Sequence, residues 1–89
     1  MENGKVSREG RMTLDALPKG MAGRIESVNA EGETGLRLTE LGYFPGERVE
    51  KVLESPLGDP CAYRVRGTVV SLRKTDAERI TVRTGGWEE

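Results

Sequence analysis

Arg37-Leu38-Thr39-Glu40-Leu41-Gly42-Tyr43-Phe44-Pro45-Gly46 is the stretch on which the fold turns. Leu38 and Leu41 stand three apart, the spacing that puts two side chains on one face of a helix, while Arg37, Thr39 and Glu40 point elsewhere. Gly42 can adopt the left-handed conformation that ends a helix, and Pro45-Gly46 prevents the helix from resuming. The chain on either side reads as strand. The helix is therefore expected as a plug between two β segments, with Leu38 and Leu41 sealing one mouth of a small sheet.

Working outward, Gly46–Glu54 reads as the strand that comes after the plug, with Val49 and Leu53 on one face, Val52 on the other and Lys51 at an inward position. Ahead of the plug, Asn29–Thr34 is a loop whose Thr34 is positioned to cap the helix. Met21–Val28 is a strand in which Ile25 and Val28 break strict alternation, so a bulge or bend is expected. Thr13 caps one helical turn carrying Leu14 and Leu17, which Pro18 and Gly20 terminate. Residues 1–12 are polar and without periodicity, and read as a disordered arm.

Beyond the second strand, Ser55-Pro56-Leu57-Gly58-Asp59-Pro60 is the strongest turn signal and should join antiparallel strands. Cys61, Tyr63 and Val65 then alternate inward against Ala62, Arg64 and Arg66. Gly67 ends that strand, and Thr68–Leu72 comes next after a connection so short that the two strands must form a hairpin or a continuous bent ribbon, with Val70 and Leu72 inward. Thr75-Asp76-Ala77-Glu78 fits a capping box. Ile80 and Val82 mark a final strand, and residues 84–89 form an acidic tail. About five short antiparallel strands with one or two helical inserts point to an all-β fold, a small barrel.

The composition limits the chemistry. Eighty-nine residues at a net charge of −1 bury only a modest core and offer no bulk attraction for nucleic acid or an anionic surface. No histidine is present, which removes Ser-His-Asp and Cys-His catalysis and every histidine-ligated metal. Cys61 is the single cysteine and reads as a small buried hydrophobe. The carboxylates lack calcium-loop spacing, and no phosphate-binding loop is found. An enzyme is not expected. Arg64, Arg66, Arg73, Lys74, Arg79 and Arg83 make the second half locally basic, yet the few aromatics supply neither a base-stacking platform nor a proline-peptide groove. No secretory signal or membrane-spanning run is present, so a cytoplasmic location without membrane insertion is expected.

Five segments in order carry a resemblance: Leu14-Asp15-Ala16-Leu17-Pro18-Lys19-Gly20, the opening stretch Arg37 to Gly46, the turn Ser55 to Pro60, Tyr63-Arg64-Val65-Arg66-Gly67, and Ser71-Leu72-Arg73-Lys74-Thr75-Asp76-Ala77. Residues 13–83 resemble the FeoA family, small cytoplasmic proteins of bacterial ferrous-iron uptake. The motif positions are Leu38, Leu41, Gly42, Pro45, Gly46, Pro56, Gly58, Pro60, Gly67 and Leu72. The resemblance implies an SH3-like barrel and, as partner, the cytoplasmic GTPase part of the FeoB transporter. No cofactor is expected, and because oxygen ligands alone do not discriminate Fe²⁺, any Fe²⁺ binding would be weak or shared with a partner. Lys51 and Cys61 depart from the family's usual apolar and β-branched residues. Docking is expected through the edge of the helical insert and the proline-rich turn, with Glu40, Tyr43, Phe44, Leu57 and Asp59 as contacts. The alternatives are a transition-metal or effector sensor and a small RNA-binding barrel.

Overall fold

The computed structural model describes residues 10–85. Six strands and two α-helices run in the order β1 (Arg11–Thr13), β2 (Ala22–Val28), α1 (Gly32–Glu40), β3 (Arg48–Glu54), β4 (Cys61–Val65), β5 (Thr68–Leu72), α2 (Lys74–Ala77) and β6 (Ile80–Arg83), with a 3₁₀ turn at Leu14–Ala16. The strands form one antiparallel sheet in the order β1-β6-β2-β3-β4-β5. It coils around a core in which Leu14, Leu17, Leu38, Tyr43, Val49, Tyr63, Val65, Ile80 and Val82 are fully buried.

One strand more than expected arises at the start of the chain. Arg11 and Met12, which by composition belong to the arm, pair with Arg83 and Val82, and Met12 joins the core. Residues 1–9 of the expected arm and 86–89 of the acidic tail lie outside the described residues. The break in alternation at Ile25 and Val28 is a bulge, where the β2–β6 register shifts between Ile25 and Ser27. A second shift, between Lys51 and Leu53 on β3, has the larger consequence. The extra residue reverses the facing of the positions after it, so Leu53 pairs with Ala62 and points outward at 59% exposure, against the expectation that it shares a face with Val49.

Lys51 keeps its inward position and is buried. Its ammonium donates to the Asp15 carbonyl at 3.0 Å and lies 5.9 Å from the Tyr63 ring centroid. The 3₁₀ turn thus supplies an acceptor at the barrel end, and the aliphatic stem fills the place of an apolar side chain. On β4, Cys61, Tyr63 and Val65 face the core as expected, and the Cys61 thiol donates to the Gly58 carbonyl at 3.4 Å.

The helix caps differ from the local sequence patterns. α1 starts at Gly32, before Thr34, and its N-cap is Glu31 without a side-chain bond. Thr13 likewise makes no capping bond. The capping box does not form, because Thr75 lies inside α2. Instead the Lys74 amide donates to Asp59 Oδ1 at 2.9 Å, so a carboxylate from the β3–β4 turn caps α2 from outside the helix.

Burial raises the pKa of both phenols well above the ordinary tyrosine value. Desolvation is the cause at Tyr43, and it leads at Tyr63, where Cys61 adds to it. The folded state therefore favours the neutral phenols. This stabilisation is complete below the unfolded pKa of about 10 and is lost as pH rises beyond it. The chain has only these two tyrosines. In an alkaline titration, tyrosinate absorbance should stay flat through pH 10 and rise only together with loss of the far-ultraviolet strand signal. An ordinary titration curve centred near pH 10 in the folded protein would contradict this packing.

Candidate functional site

The five residues expected to form one contact surface lie at two ends of the barrel. Phe44 stands beside Arg66, whose guanidinium is 5.5 Å from the ring centroid, and Arg66 comes directly after the last residue of β4. Leu57 and Asp59 precede Cys61, the first residue of β4. Five strand residues, about 17 Å, separate the two groups.

At the first end, α1 carries Leu38 inward, while Leu36, two positions earlier on the helix, is 61% exposed. Leu41 is only partly buried and packs against the core. The helix stops as its sequence predicts. The Gly42 amide donates to Thr39 O at 3.0 Å and the Tyr43 amide to Leu38 O at 2.9 Å, with Gly42 at φ 107°. A Cβ at Gly42 would lie 3.1 Å from Arg66 Cδ, so the residue serves both the backbone conformation and the close approach of the β4–β5 turn.

Tyr43 is fully buried, which removes it from the set of surface contacts. It comes just after the helix stop and enters the core, where its hydroxyl has no hydrogen-bond partner among the described residues. Glu40 is exposed, Phe44 is half-buried and Pro45 is exposed. Together Leu36, Thr39, Phe44 and Pro45 line an open groove of about 450 Å³ with Val28 and Ala30 behind it. Leu36 is not among the contacts expected from sequence, because the stretch that marks the helix there begins only at Arg37. The signal that points to it is its position two residues before Leu38, away from the buried face.

At the second end, the turn around Leu57 holds that side chain 91% exposed. The Gly58 amide closes the turn onto Ser55 O at 2.8 Å. Asp59 has a structural role there as the α2 cap, a contact worth about 1 kcal/mol. Pro56 and Pro60 are exposed, and Leu72 is buried beneath the hairpin. That hairpin turns through Arg66 and Gly67, both at positive φ.

Electrostatics further restrict the chemistry. Arg64 pairs with Glu50 at 3.4 Å, Arg66 with Glu47 at 3.2 Å and Arg83 with Glu26 at 3.7 Å. With Lys74 against Asp15 at 4.0 Å, four of the six basic residues that suggested an anionic partner are thus matched by neighbouring carboxylates. Among the described residues no three of His, Cys, Asp and Glu come together to hold a metal. No helix among them is long and apolar enough to cross a membrane.

Comparison with known proteins agrees with this geometry. The FeoA domain family matches residues 12–84. A curated relative from Porphyromonas gingivalis, the Fe(2+) transport protein A/Fe(2+) transporter FeoB fusion protein, is 37% identical over 71 residues, covering 80% of this chain and 8% of its own length. The solution structure of iron(II) transport protein A from Clostridium thermocellum superposes with a TM-score of 0.81 at 36% identity, over 84% of this chain and 46% of that one. FeoA of Stenotrophomonas maltophilia, solved with zinc and described as a prokaryotic SH3 domain protein, gives a TM-score of 0.71 at 37% identity, over 80% of this chain and 88% of that one. This chain therefore spans about half of the first of these structures and a small fraction of the fusion protein. The barrel is of the SH3-like type.

Proposed function

Because this chain belongs to the FeoA family of ferrous-iron transport accessory proteins, we propose that it is a cytoplasmic, non-catalytic adaptor. In this reading it docks on the cytoplasmic GTPase part of a FeoB-type transporter and modulates it. The observation that carries the proposal is the relative in which a domain like this one is fused to the FeoB transporter. Fusion of two units raises their effective concentration, which helps only partners that meet.

The groove beside α1 is the docking surface we favour. Leu36 and Phe44 supply apolar area that water now covers, and Pro45 adds a rigid wall. Glu40, exposed at the last position of α1, carries a charge of the kind that tunes encounter more than affinity. Leu57 lies at the other end of β4 and serves as a control.

The test is an NMR titration of the labelled chain with the cytoplasmic domain of a FeoB transporter, with and without nucleotide. Shifts should centre on Leu36, Thr39, Phe44 and Pro45. Phe44→Ala and Leu36→Glu should each weaken binding about tenfold or more, as expected for central apolar contacts, with Leu57→Ala changing it less than about threefold. Unchanged spectra with excess partner would refute docking. Shifts confined to Leu57 and its turn would move the surface to the opposite end.

A further inference from the structure

The sheet has two edges, and they differ in how they are protected. β1 is only three residues long, which limits what can pair with it. β5 has five residues and lies at the other end of the strand order, bordering only β4. Natural edges are usually blunted by proline, by a charged side chain, by a bulge or by a covering segment. β5, with the sequence Thr-Val-Val-Ser-Leu, has no proline or charge, and its register with β4 is regular throughout. Thr68, Val69 and Ser71 are exposed, so nothing among the described residues covers it.

The hairpin geometry shows which backbone groups are open. A two-residue turn makes Val65 and Thr68 a hydrogen-bonded pair, and the ladder then alternates. Val70 and Leu72 bond to β4, while the amides and carbonyls of Val69 and Ser71 point away from the sheet. No backbone bond from either residue occurs elsewhere among the described residues. The side chains of Val69 and Ser71 lie on the outer face, and Val69 is 52% exposed. Arg73 comes next with extended backbone, φ −71° and ψ 154°, so it continues the same alternation. It is exposed and has no ion pair among the described residues, unlike Arg64 and Arg66.

We propose that the β5 edge is a strand-addition site for an extended acidic peptide segment of a partner protein. Two backbone residues, Val69 and Ser71, would supply the ladder, Val69 an apolar contact and Arg73 the counter-ion for a carboxylate. A second copy of this chain is the poorer occupant. β5 (Thr68–Leu72) contains no carboxylate, so a second copy paired through the same edge would bring no strand carboxylate to Arg73. The site shares no residue with the groove beside α1, so it stands or falls independently of docking on the transporter.

The probe is a blocked peptide, Glu-Glu-Val-Thr-Val-Thr-Val, compared with the same peptide carrying lysines for the glutamates, both in the millimolar range. The readout is amide hydrogen exchange of the intact chain by NMR. The acidic peptide should slow exchange at Val69 and Ser71 by about tenfold and shift Arg73, whereas the lysine peptide should leave all three unchanged. Val69→Pro removes an outward amide, a change tolerated on an open edge, and should abolish the protection while preserving the rest of the spectrum. Arg73→Glu should reverse the preference between the two peptides, a result that does not depend on the proline variant folding. No protection by either peptide, or equal protection by both, would overturn the proposal. Concentration-dependent broadening along β5 without peptide would assign the edge to a second copy instead.

Discussion

Leu38→Ala is expected to destabilise the domain by about 2–5 kcal/mol, the range for truncating a fully buried leucine whose surroundings cannot collapse around the gap. Leu38 is the fully buried side chain of α1, and it ties the helix to the barrel end. A domain of this size has about 4–11 kcal/mol of stability in total, so the variant should be marginal at 37 °C. The melting midpoint should fall by about 10–30 °C, since 1 kcal/mol corresponds to several degrees in a small domain. Leu36→Ala, on the exposed side of the same helix, should move the midpoint by only a few degrees. Equal losses from the two substitutions would mean that α1 is not held by its Leu38 face. The pair also separates roles, because Leu36 belongs to the proposed docking groove and Leu38 to the core.

Gly35→Ala tests a sign that helix propensity alone would get wrong. Gly35 lies inside α1, where alanine ordinarily gains about 1 kcal/mol over glycine. Here an added Cβ would sit 2.5 Å from the Ala30 carbonyl oxygen and 3.0 Å from its carbon. Both are backbone atoms of the segment that leads into the helix, so no side-chain rotation relieves the contact. Relief requires moving the loop, at about 1–3 kcal/mol for an overpacked site, which outweighs the propensity gain. Thermal or denaturant unfolding should therefore show Gly35→Ala less stable than the parent. A stabilised variant would show that the approach from Ala30 to the helix is loose, and the Leu36 groove, which Ala30 also lines, would have to be redrawn.

The two ends of the barrel were legible to different degrees. Gly42 and Pro45-Gly46 marked the end of α1 because a helix stop is written in consecutive residues, and the Ser55–Pro60 turn was readable for the same reason. Phe44 stayed accessible as expected, but Tyr43, next to it, turned inward. Nothing local distinguishes the two rings. Their fates depend on the direction in which the chain leaves the helix, which the contact of Gly42 with Arg66 helps to set. Asp59 reads as a turn residue in sequence and proves to be the cap of a helix fifteen positions later.

The order of elements from β2 to β6, the strand end at Gly67, the inward alternation of Cys61, Tyr63 and Val65, and the exclusion of histidine chemistry all came from the residues alone. Each depends on neighbours within a few positions or on composition. Tertiary structure alone decided that β1 completes the sheet, that the bulge after Lys51 turns Leu53 to solvent, that Asp15 supplies the acceptor for a buried ammonium, and that Tyr43 is core. Those outcomes depend on register and on contacts between segments far apart in the chain. In a sheet a one-residue slip exchanges the two faces, and no local pattern records which strand lies alongside.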